Sequence, residues 1–589
     1  MKKTLVPLAL GMFLLLGFGF LFSQQNAEEG KFQKAMDTYL DAYWKFYPTA
    51  ATLAGYHKYD DRLEDMSGGA IEKHHDDLDT FNQELVTKVD RTKLGPSAQI
   101  DYDIVRNALE LELMRHEALL PWEYNPVFYN QIFYNSLRGL LTNESAPLEA
   151  RLKSAAARAS ALVNLVKQAR ENLKTPPQAY TETAIVQFPG VLAFYTVEAA
   201  KLAESGSAEA KGKFLAELAK ATAALQSYET FLKSELLPRS TGNFRLGEQT
   251  HVRMLSLTSE FSIPPTELVA RAKADYNNIR REMAIVSMPF YRIMYPNINM
   301  EQISTQYSEE QLRNIFIKGV LDKIKVEHAA EPDFVAQTKA QVETIKAFLT
   351  QKQLAPLPEA ALAVEPMPLA ESGITLSGIA GPGAYETGGS FTAWVAPIPE
   401  AWTDEQATSF LEGFNNYYLN FFVARNIYPG PFAPLFFTQQ NSSVIRKLYP
   451  NMPLIKGWPS YVTDLLVANG FGNYDLRLRL NQLKFQLKTV IDFLLELNIH
   501  EGSQTKEDAI KYMVNGGFQT EGEAEQNWNR ILLKPGDAAY AYIGLQEIID
   551  MQKDYRKLKG DAFTEKEFLE KLLSFGALPI RHLKAAMAQ

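Results

Sequence analysis

The sequence predicts a mainly α-helical protein with a small β insert. Apolar residues recur at intervals of three and four along most of the chain, as on the buried faces of helices. Between Pro356 and Pro399 this texture changes, and prolines and glycines cluster around short β-prone runs. No long Gly/Ser or Pro linker divides the chain and no fixed-period repeat is present. Residues 24–589 therefore read as a single large helical domain, with 356–399 as the β region.

The elements follow in order. Glu28–Trp44 is helical and stops at Tyr47–Pro48. An irregular piece follows, broken by Gly55, Asp60–Asp61 and Ser67–Gly68–Gly69. Helical periodicity then covers Ile71–Val86, Ser97–His116, Pro147–Leu173, Pro176–Ala203 and Ala208–Leu236. Pro264–Pro265 opens another helix, where proline is tolerated in the first turn, and it runs to about Met288. Glu309–Ile324 and Asp333–Thr350 complete this half. Strands are expected at Ala361–Glu365, Gly373–Ile379 and Ser390–Ala396. Helices resume at Asp404–Ala424, Ser460–Ala468, Asp475–Ile499, Lys506–Val514, Glu521–Ile531, Pro535–Tyr555 and Glu565–Ser574.

The composition, 46% hydrophobic and 22% charged, is that of a globular protein. A net charge of −9, with no basic stripe of interleaved aromatics, gives nucleic-acid binding no support. There are no cysteines, which excludes disulfides, thiolate metal sites, a Cys nucleophile and a lipid-modified N-terminal Cys. Residues 1–23 read as a targeting segment: Lys2–Lys3 precede the apolar run Leu5–Phe22. The segment is a cleaved export signal or an uncleaved anchor, and either places the bulk of the chain in the periplasm or cell envelope. No other segment is apolar enough to cross a membrane, so membrane contact is expected only through an uncleaved N-terminus.

Several constellations fail as motifs. Gly381–Ser390 is rich in glycine, but Gly389 stands where a phosphate loop needs lysine, and the context is strand to strand. No Gly-x-Ser-x-Gly elbow is present. His116–Glu117 is followed by Leu120 where a second zinc-binding His would be needed. His116 thus reads as an ordinary helix residue, and His74–His75–Asp76–Asp77 as a solvated face. Glu496 and His500 are four apart on a helix, which is half a metal site or a carboxylate-held imidazole. Arg530, a few residues before Pro535–Gly536, Tyr540 and Tyr542, is a helix-entry anchor or a carboxylate binder.

The stretch from Phe410 to Tyr461 is the most informative. Phe414, Tyr418 and Phe421 form an apolar stripe on an amphipathic helix that ends at Pro429–Gly430, and Arg425 lies on the same stripe. A cation facing the core is costly unless it is paired. Asn426 is beside it, and Lys456 precedes Gly457–Trp458 downstream.

In that order these pieces resemble the bacterial family catalogued as domain of unknown function 885, regarded as helical zinc peptidases. Its motifs are His-Glu-x-x-Pro-Gly-His-His, Glu-Gly-Trp-Ala-x-Tyr, Asp-x-x-x-His and Arg-x-x-x-x-Pro-Gly. Aligned on Pro429–Gly430, Arg425 and Asn426 stand at the first His and Glu, and Pro431 and Phe432 at the later two His. Lys456 replaces the Glu before Gly457 and Trp458, and Tyr461 remains. Glu496 replaces Asp while His500 remains, and Arg530, Pro535, Gly536 and Gly544 match the fourth motif. The opening FYPTAATLAGYHKYDDRLEDMS also looks like the family's.

The resemblance implies a large, channel-shaped, zinc-peptidase-like helical domain, with residues 400–589 carrying the degenerate site. Arg, Asn, Pro, Phe and Lys do not make a zinc site, so zinc and any other cofactor are expected to be absent. The expectation is a catalytically inactive peptidase homologue of the envelope that binds peptide or protein ligands. Its candidate ligand-contacting residues are Trp458, Tyr461, Glu496, His500, Arg530, Tyr540 and Tyr542. The alternatives are an active peptidase or hydrolase with a rearranged site, or a membrane-tethered structural partner.

Overall fold

A computed structural model describes residues 27–329, 333–399 and 402–588. The targeting segment 1–23 lies outside them. The described chain is a large helical assembly with a single three-stranded sheet, as the periodicity predicts. In the sheet β1 (Leu362–Pro366), β2 (Ser377–Ala380) and β3 (Phe391–Val395) are ordered β1-β3-β2. β1 pairs with β3 in parallel and β2 with β3 antiparallel. Phe391, Ala393 and Val395 are buried and meet the helical core. The glycine-rich run joins β2 to β3, and Gly388 and Gly389 take the left-handed φ values of 75° and 121° there.

Predicted and observed helices differ where a local break or an all-round buried surface hides the period. The run expected over Asp404–Ala424 is two helices, Asp404–Gly413 and Tyr418–Asn426. Asn415 causes the break: its side chain accepts from the backbone N–H of Tyr417 and Tyr418 at 3.0 and 3.1 Å. The helix expected from Ser460 begins at Met452 and continues through Pro459. Pro126–Thr142 is a helix with most of its residues buried, so no polar stripe marks its period. Glu248–Ser259 is also a helix that the sequence reading passes over. One further run, Gln178–Leu202, is long and apolar enough to cross a membrane, contrary to expectation, and 44% of its apolar window is buried inside the protein. Ala184, Phe188, Val191 and Phe194 on that run are core residues.

Residues distant in sequence share cores. The short Pro48–Leu53 helix and the segment after it are clamped by fully buried Arg158, which donates to the carbonyls of Arg62, Ser136 and Pro48 and to Thr52 Oγ1. Near the C-terminus the Met452–Ala468 and Asp537–Lys559 helices cross at Gly457 and Gly544. A Cβ on Gly544 would lie 1.7 Å from the Pro453 carbonyl oxygen, and one on Gly457 would lie 2.3 Å from the Gly544 carbonyl carbon. The backbones touch, and only glycine permits that distance.

Gly544→Ala is therefore expected to cost at least about 1–3 kcal/mol, read by urea unfolding, because backbone cannot move aside as a side chain can. Gly212, mid-helix with nothing within 4 Å of an added Cβ, is the control. There alanine is expected to be neutral or stabilising by up to about 1 kcal/mol.

Candidate functional site

The Leu476–Glu501 helix is the spine of the site. Asp475 caps its start through Arg477 N–H, and Gly502 ends it at φ 97°. Asp492, Glu496 and His500 recur one turn apart along one face, and all three are buried. They serve two different neighbourhoods.

The first is a charge network. Asp492 accepts from Lys488 Nζ at 2.9 Å and from Arg530 Nη2 at 2.7 Å. Arg530 Nη1 continues to Asp537 Oδ2 at 2.8 Å, and Lys456 Nζ lies 2.7 Å from Asp537 Oδ1. Arg425 completes the group without an acid of its own. Its Nη1 donates to Thr489 Oγ1 at 2.7 Å, and its guanidinium sits 4.8 Å from the centre of the Phe485 ring. Lys534 faces Asp537 as well. Five cations thus gather around Asp492 and Asp537, with Glu371 near Lys534 and Glu496 near Arg530, and the Lys456 side chain, 36% exposed, meets solvent.

The electrostatics follow. Burial alone would raise both carboxyls, but Lys488 and Arg530 hold Asp492 below its ordinary value, and Lys456 and Arg530 do the same for Asp537. Burial pulls the Lys488 ammonium down to about 8 although Asp492 opposes it.

The second neighbourhood is an imidazole–carboxylate cluster. Glu496 Oε1 accepts from Gly536 N–H and lies 3.1 Å from His251 Nε2, and Oε2 accepts from Ala539 N–H at 2.9 Å. The carboxylate thus seats the first turn of the Asp537–Lys559 helix. His251 stacks on His500 with ring centres 4.6 Å apart. Burial, with His251 alongside, lowers His500 to about 3, although the Ile531 backbone opposes the shift. Donor atoms of His251, Glu496 and His500 lie within 4.8 Å of one another. All three side chains are closed off from solvent, so in this conformation no substrate reaches them.

The structure separates residues that the sequence reading grouped. Arg425, Lys456 and Arg530 converge, whereas Glu496 and His500 belong to the second cluster. Trp458 is fully buried in the C-terminal core and does not face a ligand space. Tyr461 is 8% exposed and its hydroxyl donates to Glu565. Tyr540 is buried beside Gly536. Tyr542 donates to Asp275 at 2.7 Å and packs on Phe493. Asn426 donates to the Phe422 carbonyl, Pro431 leads into the Phe432–Gln439 helix, and Phe432 packs on Phe391.

The five residues at the positions assigned to zinc chemistry therefore do not fit zinc. Two are cations, one is a spent amide and two are apolar, while zinc needs about four N, O or S donors around one point. Sequence reasoning missed Asp492, Lys488, Asp537 and His251. The first two lie one and two turns before Glu496 and could have been found by extending that face. His251 is separated from Glu496 by 245 residues on an unrecognised helix, and no local pattern points to it. His74 is 5% exposed rather than solvated, because Phe46 stacks flat on it.

The family model described as bacterial protein of unknown function (DUF885) matches residues 48–587, and the chain belongs to that family. Two solved structures are similar. A protein of unknown function from Shewanella oneidensis, assigned provisionally as a lipoprotein, shares 26% identity, with 95% of this chain and 100% of that one covered at a TM-score of 0.76. A second provisionally assigned lipoprotein, from Colwellia psychrerythraea, shares the fold at 13% identity and a TM-score of 0.73, with 95% and 98% covered. No curated protein matches the chain.

Asp492→Asn is expected to destabilise the protein by about 3–5 kcal/mol, since it strands buried cations. The two aspartates titrate below their unfolded value of about 3.9, so their stabilisation is complete above that pH and is lost as pH falls through the lower folded values. Denaturation followed from pH 6 to pH 2 should show less acid sensitivity in the variant than in the wild type.

Proposed function

We propose that this protein is a non-catalytic, envelope-located member of its family that binds peptide or protein ligands through a carboxylate. The carrying observation is Arg425, which is bonded to Thr489 rather than to a carboxylate, in a group where Lys456, Lys488, Arg530 and Lys534 crowd around Asp492 and Asp537, with Glu371 near Lys534 and Glu496 near Arg530. Buried charge is stable when it is neutralised. An incoming carboxylate gives Arg425 a charged acceptor, and guanidinium and ammonium groups bind it with charge-assisted hydrogen bonds. Of these, Arg425 and Lys456 stand at positions that the family resemblance gives to a His and a Glu of the zinc site. A hydrolytic metal needs a donor set and a base to activate water, and neither is offered at these positions.

The location rests on Lys2–Lys3 with the apolar run Leu5–Phe22, and on the provisional lipoprotein assignment of the two similar structures. The lipoprotein assignment itself is not carried over, because this sequence contains no cysteine to bear the lipid.

The reading is tested by calorimetric titration with a short peptide ending in glutamate, as the free acid and as the C-terminal amide. The acid is expected to bind more tightly, and more weakly as salt rises. Arg425→Ala and Lys488→Ala should each weaken it about 10- to 100-fold, the equivalent of about 1.5–3 kcal/mol for a charged hydrogen bond. Affinity unchanged in both variants would contradict the reading. A Lys488 group that loses its proton at about 8 adds a pH dependence. The charged form binds the anion, so affinity should fall as pH rises through that value, and Lys488→Met should flatten the profile.

A further inference from the structure

A separate cluster stands in the N-terminal half, sharing no residue with the charge network. The Gly68–Lys88 helix packs on the Pro96–Met114 helix, and His74 on the first faces His116, which follows the second. His74 and His116 have ring centres 5.2 Å apart. Nε2 of each is buried and without a hydrogen-bond partner. Glu112 Oε1 lies 4.0 Å from His74 Nε2, and donor atoms of the three residues lie within 4.8 Å of one another.

The cluster is held from several sides. A π-helical turn, Arg115–Leu119, follows the Pro96–Met114 helix and carries His116. Such turns widen a helix and redirect its side chains. Phe46 stacks on His74 at 3.8 Å and 11°, and the Trp122 ring is 4.7 Å from His116. Tyr47 Oη donates to Glu112 Oε1 at 2.6 Å, and Arg115 approaches Oε2 at 3.6 Å. A ligating carboxylate is normally oriented by such outer hydrogen bonds. His75, 37% exposed with its ring 5.7 Å from His116, stands on the solvent side.

Two buried ring nitrogens without partners cost roughly 1–3 kcal/mol each. Packing alone does not ask for both beside one carboxylate. We propose that His74, Glu112 and His116 form a binding site for a divalent first-row transition ion of the zinc class. Two imidazole nitrogens and one carboxylate oxygen match borderline ions, whereas calcium and magnesium take mostly oxygen. The fourth position is open to water or to His75. Burial lowers His74 to about 3 and His116 to about 4, so both rings offer a lone pair at neutral pH.

The test uses the full chain stripped by chelator and titrated with Co²⁺, followed by visible absorption, with Zn²⁺ as competitor. The wild type is expected to take up Co²⁺ with a low-symmetry d–d band that Zn²⁺ abolishes. His116→Gln and Glu112→Gln should lose that band while melting cooperatively. Should Glu112→Gln fail to fold, His116→Gln decides, because its ring is partly open to solvent. Tyr47→Phe should weaken binding about 10- to 100-fold. His500→Gln, in the other cluster, should leave the band intact. Folded wild type that takes up no Co²⁺, or a band unchanged in His116→Gln, would overturn the proposal.

Discussion

Two aspartates, buried Asp492 and half-buried Asp537, organise the C-terminal half. Asp492 lies on the Leu476–Glu501 helix and Asp537 at the start of the Asp537–Lys559 helix, and Arg530 bridges them. Neither aspartate nor cation is stable there alone, since an isolated buried charge costs far more than the protein's net stability. The pairing therefore fixes three helices at once, because Arg530 belongs to a third, Glu521–Leu533. The glycine contact adds the fourth. Gly457 and Gly544 let the Met452–Ala468 backbone touch the Asp537–Lys559 backbone, which sets Lys456 beside Asp537.

This arrangement gives the two clusters on the spine different chemical meanings. Around Asp492 several cations gather and reach solvent through Lys456, which is the feature the proposed anionic ligand would use. Around Glu496 the groups are two imidazole rings and a carboxylate committed to backbone N–H groups, all buried. One turn of helix separates a candidate ligand contact from a structural clamp.

Much of the fold is legible in the sequence. The Glu309–Ile324 helix and the three strands stand within a few residues of their predicted places, because amphipathic period and turn residues are local signals. The losses have physical causes. Pro126–Thr142 is buried on most faces, so its period is silent. Asn415 breaks a run that propensity alone would continue. Pro459 sits inside a helix whose tertiary contacts outweigh a missing N–H. At the site, Arg425 is visible as a cation on an apolar stripe, but its neighbours are not. Thr489 is 64 residues away in sequence, and Lys488 and Asp492 read as an ordinary charged i,i+4 pair on a helix. Glu112 was within reach: it stands four residues before His116, on the side opposite to the one a forward motif scan inspects.

The central claim is that basic side chains stand where the family resemblance puts a metal, and that they hold a carboxylate. An anomalous difference map at the zinc edge, from crystals grown with zinc and a free-acid peptide, tests it most directly. The account predicts no zinc peak among Arg425, Asn426 and Lys456, with the peptide carboxylate lying against Arg425 and Lys488. A zinc peak bounded by those three residues, with the peptide bound elsewhere, would contradict it.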